Sequence, residues 1–210
     1  MRRETGSIWG TGLPPSAYDR YAQSMIEYSY RVATQDDIQA ITDIYNAAVI
    51  RGGSSADITP RTYEQRKAWV ESHHDPYAVF VTETADDDGK KQIIGFSALS
   101  VFYDRAGYDG VTDLAYYIDP QWQGRGVGTY TLTKLLEECR KRNMRKACGI
   151  IFADNAGSIA LMKTFRLHAI RTHANRSHRF HRHHARHELL VSRPVSTIFA
   201  VIKTRQRDVI

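Results

Sequence analysis

Apolar and polar residues along this chain follow two different periods. Ile38, Ile41, Ile44 and Tyr45 fall three or four apart or adjacent, the spacing of one helix face. Thr34 and Asp37 precede them as a capping box, with Asp in the usual Glu place. Leu132, Leu135 and Leu136 share one face of a helix predicted over 129–142, with charges on the other face. Thr62 and Glu64 open a helix running through Trp69, and a short last helix is predicted over 155–165. Strand-like runs fall at 28–32, 78–84, 93–101, 111–118 and 147–152, with 86–89 as a hairpin turn and Gly95 marking a bulge. The predicted order is β-α-α-β-β-β-α-β-α. That excludes all-α and all-β architectures and gives an α/β domain with a mixed central sheet.

Composition sharpens the boundaries. The chain has 210 residues, 25% charged and 42% hydrophobic, enough for one sizeable core plus an appendage. No run of 18 apolar residues occurs, so no membrane span is expected, and no apolar region follows Arg2 and Arg3 to make a secretory signal. Cys139 and Cys148 sit inside a predicted helix and a predicted strand, which supports neither a disulfide framework nor a metal site and points to a reducing, cytoplasmic setting. Net charge is +6, but residues 166–210 hold ten Lys or Arg against two acids, and seven of the nine histidines. The basic character belongs to that tail. Three regions are therefore expected: an N-terminal extension at 1–29, a domain at 30–165 and a basic tail at 166–210.

The chemistry concentrates at Gln123-Gly124-Arg125-Gly126-Val127-Gly128, between a strand ended by Asp119-Pro120 and a helix. Such a loop turns several backbone N–H groups into one concavity, and the helix dipole adds partial positive charge, which suits a pyrophosphate. Glycines let the backbone approach without a Cβ, and Arg125 adds a full charge. A dinucleotide fingerprint from Gly124 would need a sixth-position glycine where Thr129 stands, and a P-loop would need Gly-Lys before Ser or Thr. A glycine-rich turn with no ligand is the plainer alternative. Gln123, Gly126 and Gly128 match the Gln/Arg-x-x-Gly-x-Gly/Ala motif of the GNAT (acyl-CoA N-acyltransferase) superfamily.

From about Tyr30 to Phe165 the chain resembles that superfamily's phosphinothricin and methionine sulfoximine N-acetyltransferase branch. Ile44-Tyr45-Asn46-Ala47-Ala48-Val49 resembles its first helix. Ser100-Val101-Phe102, Arg105, Tyr108 and Asp113 keep the spacing of its substrate loop and fourth strand, and Asn155-Ala156-Gly157-Ser158 with Ala160-Leu161 resembles the start of its last core helix.

The resemblance implies a GNAT fold binding acetyl-CoA as co-substrate, with no metal. Pantetheine would run along Tyr116, Tyr117 and Ile118, and the N–H of Tyr117 or Ile118 would polarise the thioester carbonyl. Gln123, Gly124, Arg125, Gly126, Val127 and Gly128 would hold the pyrophosphate. Asn155 and Ser158 would contact the cofactor, Asn155 alternatively serving as a plain helix cap and Ser158 as a solvated first-turn residue. Asp113 matches a glutamate taken as general base. Being one methylene shorter, it favours a relaying water, and an ordinary strand residue is the alternative reading. Phe102, Arg105 and Tyr108 would hold the substrate, with a solvated loop arginine as the alternative. A buried Cys148 implies direct transfer without an acyl-cysteine. The expected acceptor is a small amino-acid-like amine such as phosphinothricin or methionine sulfoximine. Another small amine, a protein N-terminus, or an inactive fragment with a metal- or nucleic-acid-binding tail are the alternatives. Nucleic acid and membrane are not expected partners, and a homodimer is left open. Ala56 stands where the branch has an aromatic residue, and Asp109 where a basic residue often follows the tyrosine.

The resemblance stops after Phe165, where the superfamily continues with Gly-Phe and two closing strands. Here Arg166-Leu167-His168-Ala169-Ile170 leads into a His/Arg-rich stretch. His181, His183, His184 and His187 are candidate metal ligands, and the basic charge a candidate nucleic-acid surface. A third reading is a shifted reading frame: Arg166 to Arg171 can be encoded so that a one-base shift reads Gly-Phe-Thr-Arg-Phe-Gly. From 166 to 187 only Leu167, Ile170 and Phe180 are apolar beyond alanine, and Arg193-Pro194 interrupts the later apolar run. Closing strands are therefore expected to be missing or replaced.

Overall fold

The computed structural model describes residues 27–86, 88–152, 155–165, 167–172 and 197–203, with backbone alone from 168 onward. The order is β1 (Tyr28–Val32), α1 (Ile38–Arg51), α2 (Tyr63–Glu71), β2 (Ala78–Ala85), β3 (Lys91–Val101), β4 (Val111–Ile118), α3 (Val127–Lys141), β5 (Lys146–Phe152), α4 (Ala156–Thr164), β6 (His168–Thr172) and β7 (Thr197–Lys203). The strands form one mixed sheet ordered β1-β2-β3-β4-β5-β7-β6, in which only β4 and β5 pair in parallel.

Local signals set the element ends. The Asp37 carboxylate accepts from the Thr34 backbone N–H at 2.6 Å and binds Arg31 at the same distance, tying α1 to β1. Thr62 and Gln65 cap α2 reciprocally. The bulge is confirmed beside Gly95: Thr82 faces Gly95 and Glu83 faces Ile93, leaving Ile94 as the extra residue. A side chain at Gly95 would meet Ile118 Cδ1 at 2.8 Å and the Tyr117 carbonyl at 3.0 Å. Glycine here lets β3 and the end of β4 lie close.

Two cores flank the sheet. Ile41, Ile44 and Tyr45 of α1 pack with Val79, Val81, Phe96 and Ala98 on one face. Leu132, Leu135, Leu136 and Cys139 of α3 pack with Phe80, Leu99, Leu114 and Met162 on the other. Burying one aliphatic side chain contributes about 1.5–3 kcal/mol, so these faces carry the fold's main driving force.

The tail corrects an expectation. It supplies two strands where none was foreseen: β7 pairs antiparallel along β5 from Lys146 to Phe152, and β6 pairs with β7. Strand ladders form through backbone groups, and Thr197–Lys203 begins beyond Pro194 with β-branched and aromatic residues suited to strands. Tail strands thus cover the edge of β5. The first described strand, β1, begins at Tyr28. The extension at 1–26 and the histidines at 173–187 lie outside the described residues.

Candidate active site

The cleft arises where the sheet divides. The β4–β5 ladder holds three pairs and stops at Asp113 opposite Cys148. Beyond it, β4 stays bonded to β3 as far as Ile118, and β5 to β7 as far as Phe152. The two halves therefore diverge past Asp113, and residues 114–118 have no ladder partner on the β5 side. A cavity of about 640 Å³ occupies this wedge. Its walls include Asp113, Tyr116, Tyr117, Ile118, Gln123, Gly124, Gly128, Asn155 and Ser158, all singled out from sequence.

One end of the cavity is made of backbone. Asp119 caps the turn after β4 by accepting from the Gln121 N–H at 2.8 Å. Gln123 bonds the Ile118 carbonyl at 3.2 Å and accepts from Arg51 at 2.9 Å, which fixes the loop to β4 and α1. Gly124 and Gly126 have φ of 76° and 85°, left-handed values that glycine adopts without strain. Gly126 is the N-cap of α3, whose first amides lack intrahelical acceptors by geometry. A Cβ at Gly128 would press on Leu161 Cδ2 at 3.3 Å, so glycine keeps this passage open. Val127 is core, and the Arg125 guanidinium stacks 5.0 Å from the Trp122 ring, so neither side chain lines the cavity.

Asn155 accepts from the Ser158 N–H at 3.0 Å and reaches Ser54 at 3.3 Å, capping α4 and tying it to the loop after α1. The Tyr116 hydroxyl is buried without a partner in hydrogen-bonding geometry, and burial raises its pKa. Free amides, a positive helix end and an unpaired strand edge form a donor set that fits a pyrophosphate joined to an amide-bearing arm.

Side chains make the other end. Burial pushes the Asp113 carboxyl up to about 6, one backbone hydrogen bond opposing it, and its Oδ1 has no partner. Tyr117 stacks on Phe96 at 5.1 Å and meets Tyr45 edge-on at 5.1 Å; burial, then Tyr45, pushes its phenol up to about 12. Asp57 accepts from the Tyr45 hydroxyl at 2.5 Å and pairs with Arg61, and these bonds, Arg61 first, hold it at about 2. The Arg66 guanidinium lies 3.7 Å from the Tyr45 ring centroid and 4.7 Å from that of Trp69. Both cysteines are buried; burial lifts Cys139 to about 12, and burial and then Asp113 raise Cys148, so neither is a ready nucleophile at neutral pH.

Sequence reasoning missed Tyr45 as a wall residue, and Arg51, Ser55 and Asp57 beside it. Arg66 and Trp69 are three apart on α2, a local signal, but nothing local says that Tyr45 meets them. Phe102, Arg105 and Tyr108 are not brought to the cavity walls. Phe102, Tyr103 and Tyr108 form an aromatic group with centroids 5.6–6.5 Å apart, and Arg105 lies 5.6 Å from the Tyr103 ring. This group sits on the loop joining β3 to β4, at the Asp113 end. Among the described residues no cluster of three or more His, Cys, Asp or Glu could hold a metal ion, and no helix is long and apolar enough to cross a membrane.

Known proteins resemble this chain in sequence and in fold. The chain is 26% identical over 159 residues to a phosphinothricin N-acetyltransferase of Streptomyces coelicolor, covering 75% of this chain and 91% of that protein. It is 29% identical over 132 residues to an L-methionine sulfoximine/L-methionine sulfone acetyltransferase of Salmonella typhimurium, covering 62% and 74%. The crystal structure of a GNAT superfamily phosphinothricin acetyltransferase from Sinorhizobium meliloti in complex with AcCoA shares the fold, with TM-score 0.67, 22% identity, and 83% and 87% of the two chains covered. The acetyltransferase (GNAT) family matches residues 38–165, more than half of the chain. The chain therefore belongs to the GNAT family, as an acetyl-CoA-dependent N-acetyltransferase.

Proposed function

We propose that the chain acetylates the amine of a small amino-acid-like acceptor, of the phosphinothricin or methionine sulfoximine kind. The observation carrying this reading is Asp113: a carboxyl with an unpartnered oxygen and a raised pKa, at the point where β4 and β5 part. The named substrates of the relatives at 26% and 29% identity support the acceptor class. Bound acetyl-CoA supplies the activated acyl thioester.

Each residue then has a task. The amides of 123–128 and the N-terminus of α3 hold the pyrophosphate, with Arg125 adding charge from the rim. The unpaired edge of β4 along Tyr116, Tyr117 and Ile118 aligns the pantetheine arm. The Tyr117 backbone groups face β3, so the Ile118 N–H is the donor that steadies charge developing on the carbonyl oxygen. Asn155 and Ser158 border the arm. Asp113 takes the ammonium proton, directly or through one water, freeing the lone pair for attack. With Cys148 and Cys139 buried, transfer is direct. The ionised Asp57 at the same end draws the cationic acceptor, and Arg105 and Tyr108, outside the cavity walls on the flanking loop, meet only an acidic group that projects from the cleft.

Thiol release from acetyl-CoA across an amine panel tests the reading. Phosphinothricin or methionine sulfoximine should accelerate release well above background hydrolysis. A panel in which only peptide N-termini do so would overturn it. We propose further that the His/Arg-rich part of the tail reflects a shifted frame. A coding sequence whose shifted frame soon meets a stop would end that idea.

A further inference from the structure

Acetylation of an ammonium by a thioester yields an amide, a thiol and one proton. The nitrogen sheds two protons, the departing thiolate keeps one, and the other must reach solvent in each turnover. Asp113 is the group that first holds a proton under the function proposed above; its Oδ1 is buried in the cleft wall, and a bound acceptor and acetyl-CoA fill the cleft in front of it. A route outward is therefore needed.

Ser100 stands directly across from Asp113 in the β3–β4 register. Directly opposed residues share a sheet face, with Cβ atoms about 4.5–5.5 Å apart. Ala98, Ala115 and Tyr117, at alternate positions on the same strands, pack on the α1–α2 side, so Ser100 and Asp113 face that side as well. His73, just past the end of α2, lies there and meets Ser100: Nε2 is 2.9 Å from Ser100 Oγ. Its other nitrogen, Nδ1, is 2.7 Å from the Trp69 carbonyl.

That carbonyl can only accept, so Nδ1 carries the hydrogen when the ring is neutral. Nε2 must then accept, and Ser100 donates to it. The serine hydrogen thus points away from Asp113, in keeping with the unpartnered Asp113 Oδ1. The ring is held edge-on against Trp69 at 4.6 Å and is only partly buried, so it borders solvent.

We propose that His73 and Ser100 form the proton exit from Asp113. Resting on Asp113 as the base, the relay runs in one direction. Protonated Asp113 donates its O–H to Ser100 Oγ, Ser100 passes its own hydrogen to His73 Nε2, and the imidazolium yields that Nε2 proton to water, which leaves the Nδ1–H tautomer on the Trp69 carbonyl. One O–H forms as another breaks at Ser100, and rotation of the Ser100 hydroxyl back towards Nε2 resets the chain without any other reagent. The remaining groups around Asp113 do not compete. Cys148 opposite on β5 and Tyr117 further along β4 both have raised pKa values and keep their protons. Burial, and to a smaller extent the neighbouring His74, disfavour a charge on the ring against the opposing Trp69 carbonyl, which favours the final release. His73 and Ser100 touch neither reactant in this scheme and are positioning residues for proton flow.

The test compares Ser100→Ala, Ser100→Thr, His73→Gln and Asp113→Asn in weakly buffered solution and with added imidazole. Proton exit follows acyl transfer, so kcat should fall about tenfold or more in Ser100→Ala and His73→Gln, with kcat/KM little changed. Imidazole should restore kcat in both, and Ser100→Thr should stay near wild type. Unchanged kcat in Ser100→Ala alongside an inactive Asp113→Asn would overturn the relay alone. A loss that imidazole does not repair, shared by Ser100→Thr, would reduce the pair to a structural role. An active Asp113→Asn would remove the base reading itself and the relay with it.

Discussion

The two ends of the cleft are built from different material. The end assigned to the cofactor is backbone: left-handed glycines at 124 and 126, the first amides of α3 and the unpaired edge of β4. The acceptor end is side chains drawn from separate elements: Asp113 and Tyr117 from β4, Tyr45 from α1, Asp57 from the loop after it. A backbone site accommodates sequence drift so long as glycines keep their places. A side-chain site changes preference with each substitution. The contrast explains how one acyl donor can be paired with many acceptors on this fold.

The comparison can be broken at either end. Gly126→Asp puts a carboxylate beside the pyrophosphate-binding amides. Acetyl-CoA affinity should fall at least about tenfold, roughly 1.4 kcal/mol, by calorimetry. Unchanged binding would show that this loop does not hold the cofactor. Asp57→Asn should act on the other end only: KM for the amine should rise about fivefold, with acetyl-CoA affinity unaltered. If acetyl-CoA affinity moves instead, the two ends are not separate. Asn155→Ala, at the seam, should cost about 1 kcal/mol of stability through the lost α4 cap. A denaturant midpoint equal to wild type would mean the cap contributes nothing.

This difference in material decided what the sequence disclosed. Glycine spacing between a strand and a helix is local, so 123–128 could be read directly. Asp113 and the splayed strand followed from a resemblance in spacing. The Tyr45–Asp57–Arg61 network is non-local in effect: Tyr45 and Asp57 meet only once α1 and its following loop fold back on each other. Arg66 was invisible for the same reason. The tail failed differently. Its side chains lack alternation up to residue 187, and that pattern was taken to exclude strands, yet β6 and β7 form through backbone pairing.

Asp113 also links function to stability. Its folded-state pKa is raised, so the folded protein holds more protons than the unfolded chain between about pH 4 and 6, and stability falls as pH rises through that window. Asp113→Asn should therefore raise Tm near pH 8 and leave it little changed near pH 4.

The central claim is that this largely buried carboxylate takes the amine's proton. Measuring kcat/KM against pH, in wild type and Asp113→Asn, tests it most directly. Wild type should rise through a pKa of about 6, and the variant should lose that limb and about 10²-fold in activity at neutral pH. A variant that kept wild-type turnover and the same profile would place the base elsewhere.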